Sequence, residues 1–228
     1  MASNRRYKFL CPIARALDAV GDRWELLILR DLHAGPARFK DIQTGLSGIA
    51  TNLLTDRLVK LISIGLIEKS QNHLGVTVYA LTPRGEQTRG LLLELSLFGA
   101  LFPPEPDLKP IKNYRTVAVT LAALLEKAAT ESDDLRVQLN ISDEPYCITV
   151  QGRQTKMKLG TCEAPEAVLS TNYEALVAAG DGELSPEQFA KKEVILVSGS
   201  PDVMQHFLML LGRSIAYFGK REAGRSEA

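Results

Sequence analysis

The chain has 228 residues, enough for one large or two small domains, and 45% hydrophobic with 24% charged residues is ordinary globular composition. The formal net charge of zero hides a division: residues 1–102 carry 13 Lys and Arg against 9 Asp and Glu (net +4), and residues 103–228 carry 14 against 18 (net −4). That basic first half supports a domain facing nucleic acid, while the absence of 18 consecutive apolar residues or a signal-like run in MASNRRYKFLCP argues against membrane spanning and secretion, with cytoplasm the expected compartment.

Read in order, the first eight residues are a polar, basic arm. Pro12 opens a helix over Ile13–Val20, which Gly21 breaks. Asp22 is the expected N-cap of the next helix, RWELLILRDLHAG, with Glu25 three residues on completing a capping-box pattern and Gly35-Pro36 ending it. Residues 39–67 read as two short helices joined by a turn at Gly45–Gly48. Phe39, Ile42 and Leu46 share one apolar face of the first. Leu53, Leu54, Leu58, Leu61 and Ile62 form the buried stripe of the second, which leaves Asn52, Thr55, Asp56, Arg57 and Lys60 facing outward. Short polar side chains followed by basic ones suit a helix that reads base edges and holds phosphates. Gly65 stops this helix. IEKS and VTVYALT follow as a hairpin around QNHLG, and Thr82-Pro83 opens a long apolar helix reaching Leu101.

Four prolines in LFPPEPDLKPIKNY mark a stiff linker, placed at residues 103–114. Beyond it lie a helix from Val117 to Thr130, and LRVQLNIS, YCITVQG and QTKMKLG as an antiparallel meander. EAVLST is a fourth strand, YEALVAAGDG a helix, Ser185-Pro186 a short turn carrying Phe189, VILVSG a strand, and Pro201 opens the final helix before the polar tail KREAGRSEA.

CPIARALDAVGDRWELLILRDL, RFKDI, LLTDRLVKLISIGLIEK and YALTPRG together resemble the HxlR-type winged helix-turn-helix transcriptional regulators over residues 11–100. The resemblance implies a homodimer on a double-stranded, palindromic operator. Because LLLELSLFGALF has too little polar surface for a lone helix in water, the dimer is expected to be built largely from the two apolar helices Ile13–Val20 and Leu91–Leu101. The resemblance also implies base and phosphate contacts from Thr51, Asn52, Thr55, Arg57 and Lys60, backbone contacts from Arg38 and Lys40, and wing contacts from Lys69 and His73. Pairing with Asp56 or Glu25 on the surface is the alternative for Arg57, and a solvated tip residue is the alternative for His73. The wing tip Asn72-His73-Leu74-Gly75 departs from the family's proline-rich strand. Some such regulators use the cysteine matching Cys11 as a redox or electrophile switch; a helix N-terminus and nearby cations favour thiolate there. Burial of Cys11 against a dimer mate is the alternative.

The runs AVLSTNYEALVAAGDGELSPEQF and VILVSGSPDVMQHF resemble, over about residues 115–212, the sterol carrier protein type 2 fold, although Ala190-Lys191-Lys192-Glu193 replaces its usual Gly-Lys. That resemblance implies an apolar pocket for a hydrophobic effector. Phe189, Met204, Phe207, Leu208 and Leu211 are its candidate lining; with Met209, Tyr217 and Phe218 they read equally as core. The fold class expected for the whole chain is therefore α+β, with a winged helix domain at 1–102 and an antiparallel-sheet domain at 115–228.

Three cysteines, Cys11, Cys147 and Cys162, form no CxxC and lie far apart, so no zinc site or disulfide framework is readable, and Cys147 and Cys162 receive no role. His33, His73 and His206 lie on unrelated elements without triad partners, and GDGELSP lacks phosphate-loop spacing. No cofactor, metal or enzymatic activity is expected. A lipid-carrier or ligand-storage module, with the winged helix serving dimerisation, is the alternative function, and a second domain that has lost its tunnel and only braces the dimer is a third.

Overall fold

A computed structural model describes residues 7–102, 113–180 and 183–223, with side chains as far as residue 215 of the last helix. The basic arm's first six residues, the end of the polar tail and most of the proline-rich linker (residues 103–112) lie outside the described residues. Two compact units divide at Thr88/Arg89.

In the first unit, helix α1 (Pro12–Val20) has proline at its first turn. It ends where the Gly21 amide donates to the Leu17 carbonyl, so close that any Cβ would collide with that oxygen. Helices α2 (Arg23–Leu32), α3 (Phe39–Gly45) and α4 (Thr51–Ser63) follow. Ile28, Leu29 and Leu32 of α2 meet the same core as Ile42 of α3 and Leu54, Leu58 and Leu61 of α4, all fully buried or nearly so. Each such side chain contributes about 1.5–3 kcal/mol by leaving water. Gly65 (φ +74°) lets the chain leave α4 through a left-handed turn into strand β1 (Ile67–Gln71). β1 pairs antiparallel with β2 (Thr77–Leu81), as expected of a wing. The Asn72 side chain organises the tip by accepting from the amides of Leu74 and Val76, each at 3.0 Å. Ala37, just before α3, bridges to Tyr79 through two backbone hydrogen bonds of 3.0 and 2.8 Å and so ties the helix pair to the wing.

The expected single helix from Thr82 to Leu101 is instead two. α5 (Pro83–Glu86) is capped by Thr82, whose Oγ1 accepts from the Gly85 amide at 3.1 Å. α6 (Thr88–Gly99) follows a break at Gln87. The Thr88 hydroxyl donates to the Gly85 carbonyl at 2.7 Å, competing for an acceptor that a continuous helix would use.

The second unit takes in almost all of α6, so the division at Thr88 and the expected one at residue 102 assign this helix differently. Leu93 and Leu97 of α6 are buried with Ala123 and Leu124 of α7 (Thr116–Ala128). Arg89 secures the start of α6 by donating to Glu126 at 2.9 Å and to the Thr155 carbonyl at 2.8 Å. Strands β3 (Asp134–Ile141), β4 (Glu144–Gln151), β5 (Gln154–Leu159), β6 (Ala167–Thr171) and β7 (Ile195–Gly199) form one sheet in the order β5-β4-β3-β6-β7. α8 (Tyr173–Gly180), α9 (Pro186–Lys192) and α10 (Pro201–Ala223) complete the unit. Alternate residues Leu135, Val137, Leu139, Ile141, Tyr146, Ile148 and Val150 are buried, which gives the period-two pattern of a sheet covered on one face.

Two expectations are corrected here. The meander β3–β4–β5 is antiparallel, but β6 runs parallel to β3, so the sheet is mixed. Residues 160–166 carry the chain from edge strand β5 past β4 to the far side of β3, where it re-enters in the same direction. Along this crossing the Cys162 amide donates to Gln138 Oε1 at 3.2 Å, and Arg136 donates to the Glu163 carbonyl at 3.1 Å. Cys147 and Cys162, read from their separation as unpartnered, form a disulfide with a Cα–Cα distance of 4.8 Å. Fifteen residues apart in sequence, they are brought together only by that crossing.

Candidate nucleic-acid interface

The polar ends of α2 and α4 define the candidate site. Asp22 caps α2 as expected, accepting from the Trp24 amide at 2.9 Å. Glu25 does not fold back to complete the capping box. It is fully buried and faces α4, where Lys60 Nζ lies 2.8 Å from Oε1 and donates to Oε2 at 3.0 Å. Arg57 donates to Asp22 Oδ2 at 2.8 Å and holds its Nε 3.9 Å from Glu25. A carboxylate removed from water needs such cations close by. The expectation that Arg57 and Lys60 face outward is therefore corrected. Positions 57 and 60 share the edge of α4 that meets α2, and their side chains are only 20% and 30% exposed.

What α4 does expose is Thr51, Asn52, Thr55, Asp56 and Val59, followed by Ile62 and Ser63 in its last turn. Gln43 of α3 donates to Thr51 Oγ1 at 2.9 Å and joins the two helices at the start of this face. The Thr55 hydroxyl donates back to the Thr51 carbonyl at 2.9 Å. Val59, 61% exposed, was missed by sequence reasoning, and Ile62 at 37% is less buried than the expected stripe requires. Helical spacing carried the signal: Val59 stands four residues after Thr55 and seven after Asn52, but its apolar identity concealed it.

The remaining sequence candidates are spread around this helix. Arg38 and Lys40 are exposed at the start of α3; Arg38 Nε lies 3.7 Å from Asp41, an open pair that contributes little to stability. Lys69 lies exposed on β1 and His73 at the wing tip, beside an exposed Leu74. Cys11 precedes α1 as its N-cap residue and is exposed with a free thiol, as reaction with a small electrophile would require. On α1 itself Ile13 is 71% exposed and Leu17 about half exposed.

In the second unit the candidate pocket residues are not brought together around a cavity. Phe189 and Phe207 are fully buried core, whereas Met204 and Leu208 are half-buried on α10. Only Leu211 of that set lines the unit's apolar cavity, of about 240 Å³. Its walls come from α6, α7, α8 and α10, with the Ser96, Thr116 and Thr120 side chains among Leu121, Leu124 and Leu176. The side chains of Tyr217 and Phe218 lie outside the described residues. Away from the cavity, His206 of α10 lies 2.6 Å from Asp133 Oδ1, while the Thr130 amide and hydroxyl donate to Oδ2 at 2.6 and 2.8 Å. Burial pushes the Asp133 carboxyl up, but the Thr130 hydrogen bonds and His206 outweigh it and hold the group below its ordinary value.

The sequence profile of HxlR-like helix-turn-helix proteins matches residues 19–106. An HTH-type transcriptional regulator of Synechocystis sp. is 31% identical over 93 residues, which cover 40% of this chain and 69% of that protein. The chain belongs to the HxlR-like helix-turn-helix family. A second family relative, an HTH-type transcriptional regulator of Mycobacterium tuberculosis, is 34% identical over 106 residues, covering 44% of this chain and 64% of the relative's length. Among solved structures, the reduced form of the transcriptional regulator YodB from Bacillus subtilis aligns with 28% identity and a TM-score of 0.37, over 41% of this chain and 95% of that one. The HxlR-like match takes in α2 to α6 and stops before α7.

Proposed function

We propose that the chain is a homodimeric, DNA-binding regulator of transcription, a binding protein of the cytoplasm rather than an enzyme, whose α4 enters the major groove of a palindromic operator. The observation that carries the reading is the exposed polar face of α4, Thr51, Asn52 and Thr55, on a helix supported from behind by α2. The exposure of Arg38 and Lys40 at the start of α3, and of Lys69 and His73 on the wing, supports phosphate contacts from these residues. Arg57 and Lys60 then act indirectly, by holding α4 against α2. Exposed Ile13 and Leu17 on α1, and Leu91, Leu95 and Phe98 on α6, suit a two-fold interface better than water does. The test is a titration of the full chain with duplex fragments from its own genomic neighbourhood at several salt concentrations. Saturable binding of one dimer per palindrome, with log affinity falling linearly in log salt, is expected. Binding indifferent to both sequence and salt overturns the reading.

The cavity among α6, α7, α8 and α10 favours a second component, a hydrophobic effector held in a domain resembling sterol carrier protein type 2. Because Ser96 of α6 contributes to its wall, an occupant touches the helix that follows directly from the winged helix fold. Such an effector alters DNA affinity only by binding one arrangement of the dimer better than the other. Mass spectrometry of organic extracts, followed by DNA titrations with the recovered compound, tests it. Cys11 is the remaining candidate, as a thiol switch: alkylation of the full chain at Cys11 should change DNA affinity, and Cys11→Ser should abolish that response. The carrier reading, in which the first unit only dimerises, predicts lipid uptake without any DNA binding.

A further inference from the structure

Resting on the DNA-binding reading above, we propose that α4 reads A·T base pairs and rejects guanine, with Asn52 on adenine and the methyl groups of Thr55 and Val59 on thymine. In the major groove guanine offers two acceptors, O6 and N7, and is read by arginine or lysine. The only two cations of α4, Arg57 and Lys60, are held by Asp22 and Glu25. The charged group that α4 exposes is the Asp56 carboxylate, which would meet O6 and N7 as acceptor against acceptor.

Asn52, Thr55 and Val59 of the exposed face each suit an A·T pair. The Asn52 amide is exposed, makes no hydrogen bond among the described residues, and offers the donor and acceptor that match adenine N7 and N6. The Thr55 hydroxyl donates its one proton to the Thr51 carbonyl, so towards a base it can only accept, as from adenine N6, and its methyl is left for apolar contact. Val59 offers only carbon, and 61% of it is exposed. Apolar contact of this kind recognises the thymine C5-methyl, which cytosine lacks. Asp56 accepts from adenine N6 and opposes guanine O6 and N7; because it would also accept from cytosine N4, the exclusion of C·G pairs rests on Asn52, Thr55 and Val59.

The experiment selects bound sequences from a randomised duplex library with the full-length protein and then measures affinity for the enriched duplex and its analogues. Deoxyuracil in place of thymine removes one methyl group, and 7-deazaadenine removes N7. The half-site under α4 should be enriched in A·T pairs. One of its thymines should lose about fourfold in affinity as deoxyuracil, a loss absent in Val59→Ala or Thr55→Ser. One adenine should lose at least about fivefold as 7-deazaadenine, a loss absent in Asn52→Ala. A half-site requiring guanine under α4, or analogue losses as large in the variants as in the wild type, overturns this inference alone. Failure to enrich any sequence overturns the DNA-binding reading and this inference with it.

Discussion

The two long edges of α4 carry different side chains and serve different purposes. On the edge that meets α2, Arg57 and Lys60 are drawn inward onto Asp22 and the fully buried Glu25, and their charges are consumed in holding the helix in place. On the opposite edge Thr51, Asn52, Thr55 and Val59 are exposed and carry no positive charge. The division teaches that a basic residue on a recognition helix is not by itself a contact with DNA. Here the positions that support the fold and those available to a ligand alternate along thirteen residues of one helix.

The largest expected effect breaks the supporting edge. Lys60→Ala leaves Glu25 buried with Arg57 Nε 3.9 Å away as its nearest cation. Thermal or urea unfolding should show a loss of about 3–5 kcal/mol in the first unit. A loss below 0.5 kcal/mol would mean that Glu25 gains water or another partner. Replacing the pair together, as Glu25→Gln with Lys60→Met, should restore most of the stability, because no buried charge is then left uncompensated.

A second comparison sets this ionic support against the covalent one in the other unit. Reducing Cys147–Cys162, or making Cys147→Ser, removes a crosslink closing a loop of fifteen residues and should cost about 3 kcal/mol. Hydrogen exchange should show the loss in the crossing segment 160–166 and its neighbours β3 and β4, with α2 and α4 unchanged. Uniform loosening of both units would contradict the separation.

A smaller effect belongs to Asp133. Its carboxyl lies below the ordinary value when folded, so its contribution is present above the unfolded value of about 3.9 and lost as pH falls through the lower folded value. Asp133→Asn should cost about 1 kcal/mol near neutral pH, with the difference from wild type disappearing under acid. An unchanged difference at pH 2 would assign the effect to packing. The smallest effect is at the open pair Arg38–Asp41: Asp41→Asn should change stability by less than about 0.5 kcal/mol and leave Arg38 available to phosphate.

Much of the first unit was legible in the sequence because its signals are local. Pro12, the Asp22 cap, Gly65 and Thr82-Pro83 each mark a boundary within a few residues of where the chain turns. A pair between Arg57 and Glu25 was open in the sequence, but the choice between pairing and facing outward was not legible for Arg57 or Lys60, since it depends on carboxylates 35 residues away. For the same reason, Cys147 and Cys162 showed no relation until the crossing of residues 160–166 brought them together. In α10, periodicity named apolar residues correctly but could not separate Phe207, which is core, from Leu211, which lines the cavity. That distinction depends on where α6, α7 and α8 leave space.

The division of α4 into a supporting and a reading edge is tested most directly by measuring DNA affinity per folded molecule for two variants side by side. The account predicts that Asn52→Ala folds as stably as the wild type and loses at least about fivefold in affinity for its selected operator. The charge-free double variant Glu25→Gln with Lys60→Met should keep affinity within about twofold at every salt concentration. Wild-type affinity in Asn52→Ala, or a flattened salt slope in the double variant, would contradict it, because Lys60 would then be a phosphate contact and the exposed edge of α4 idle.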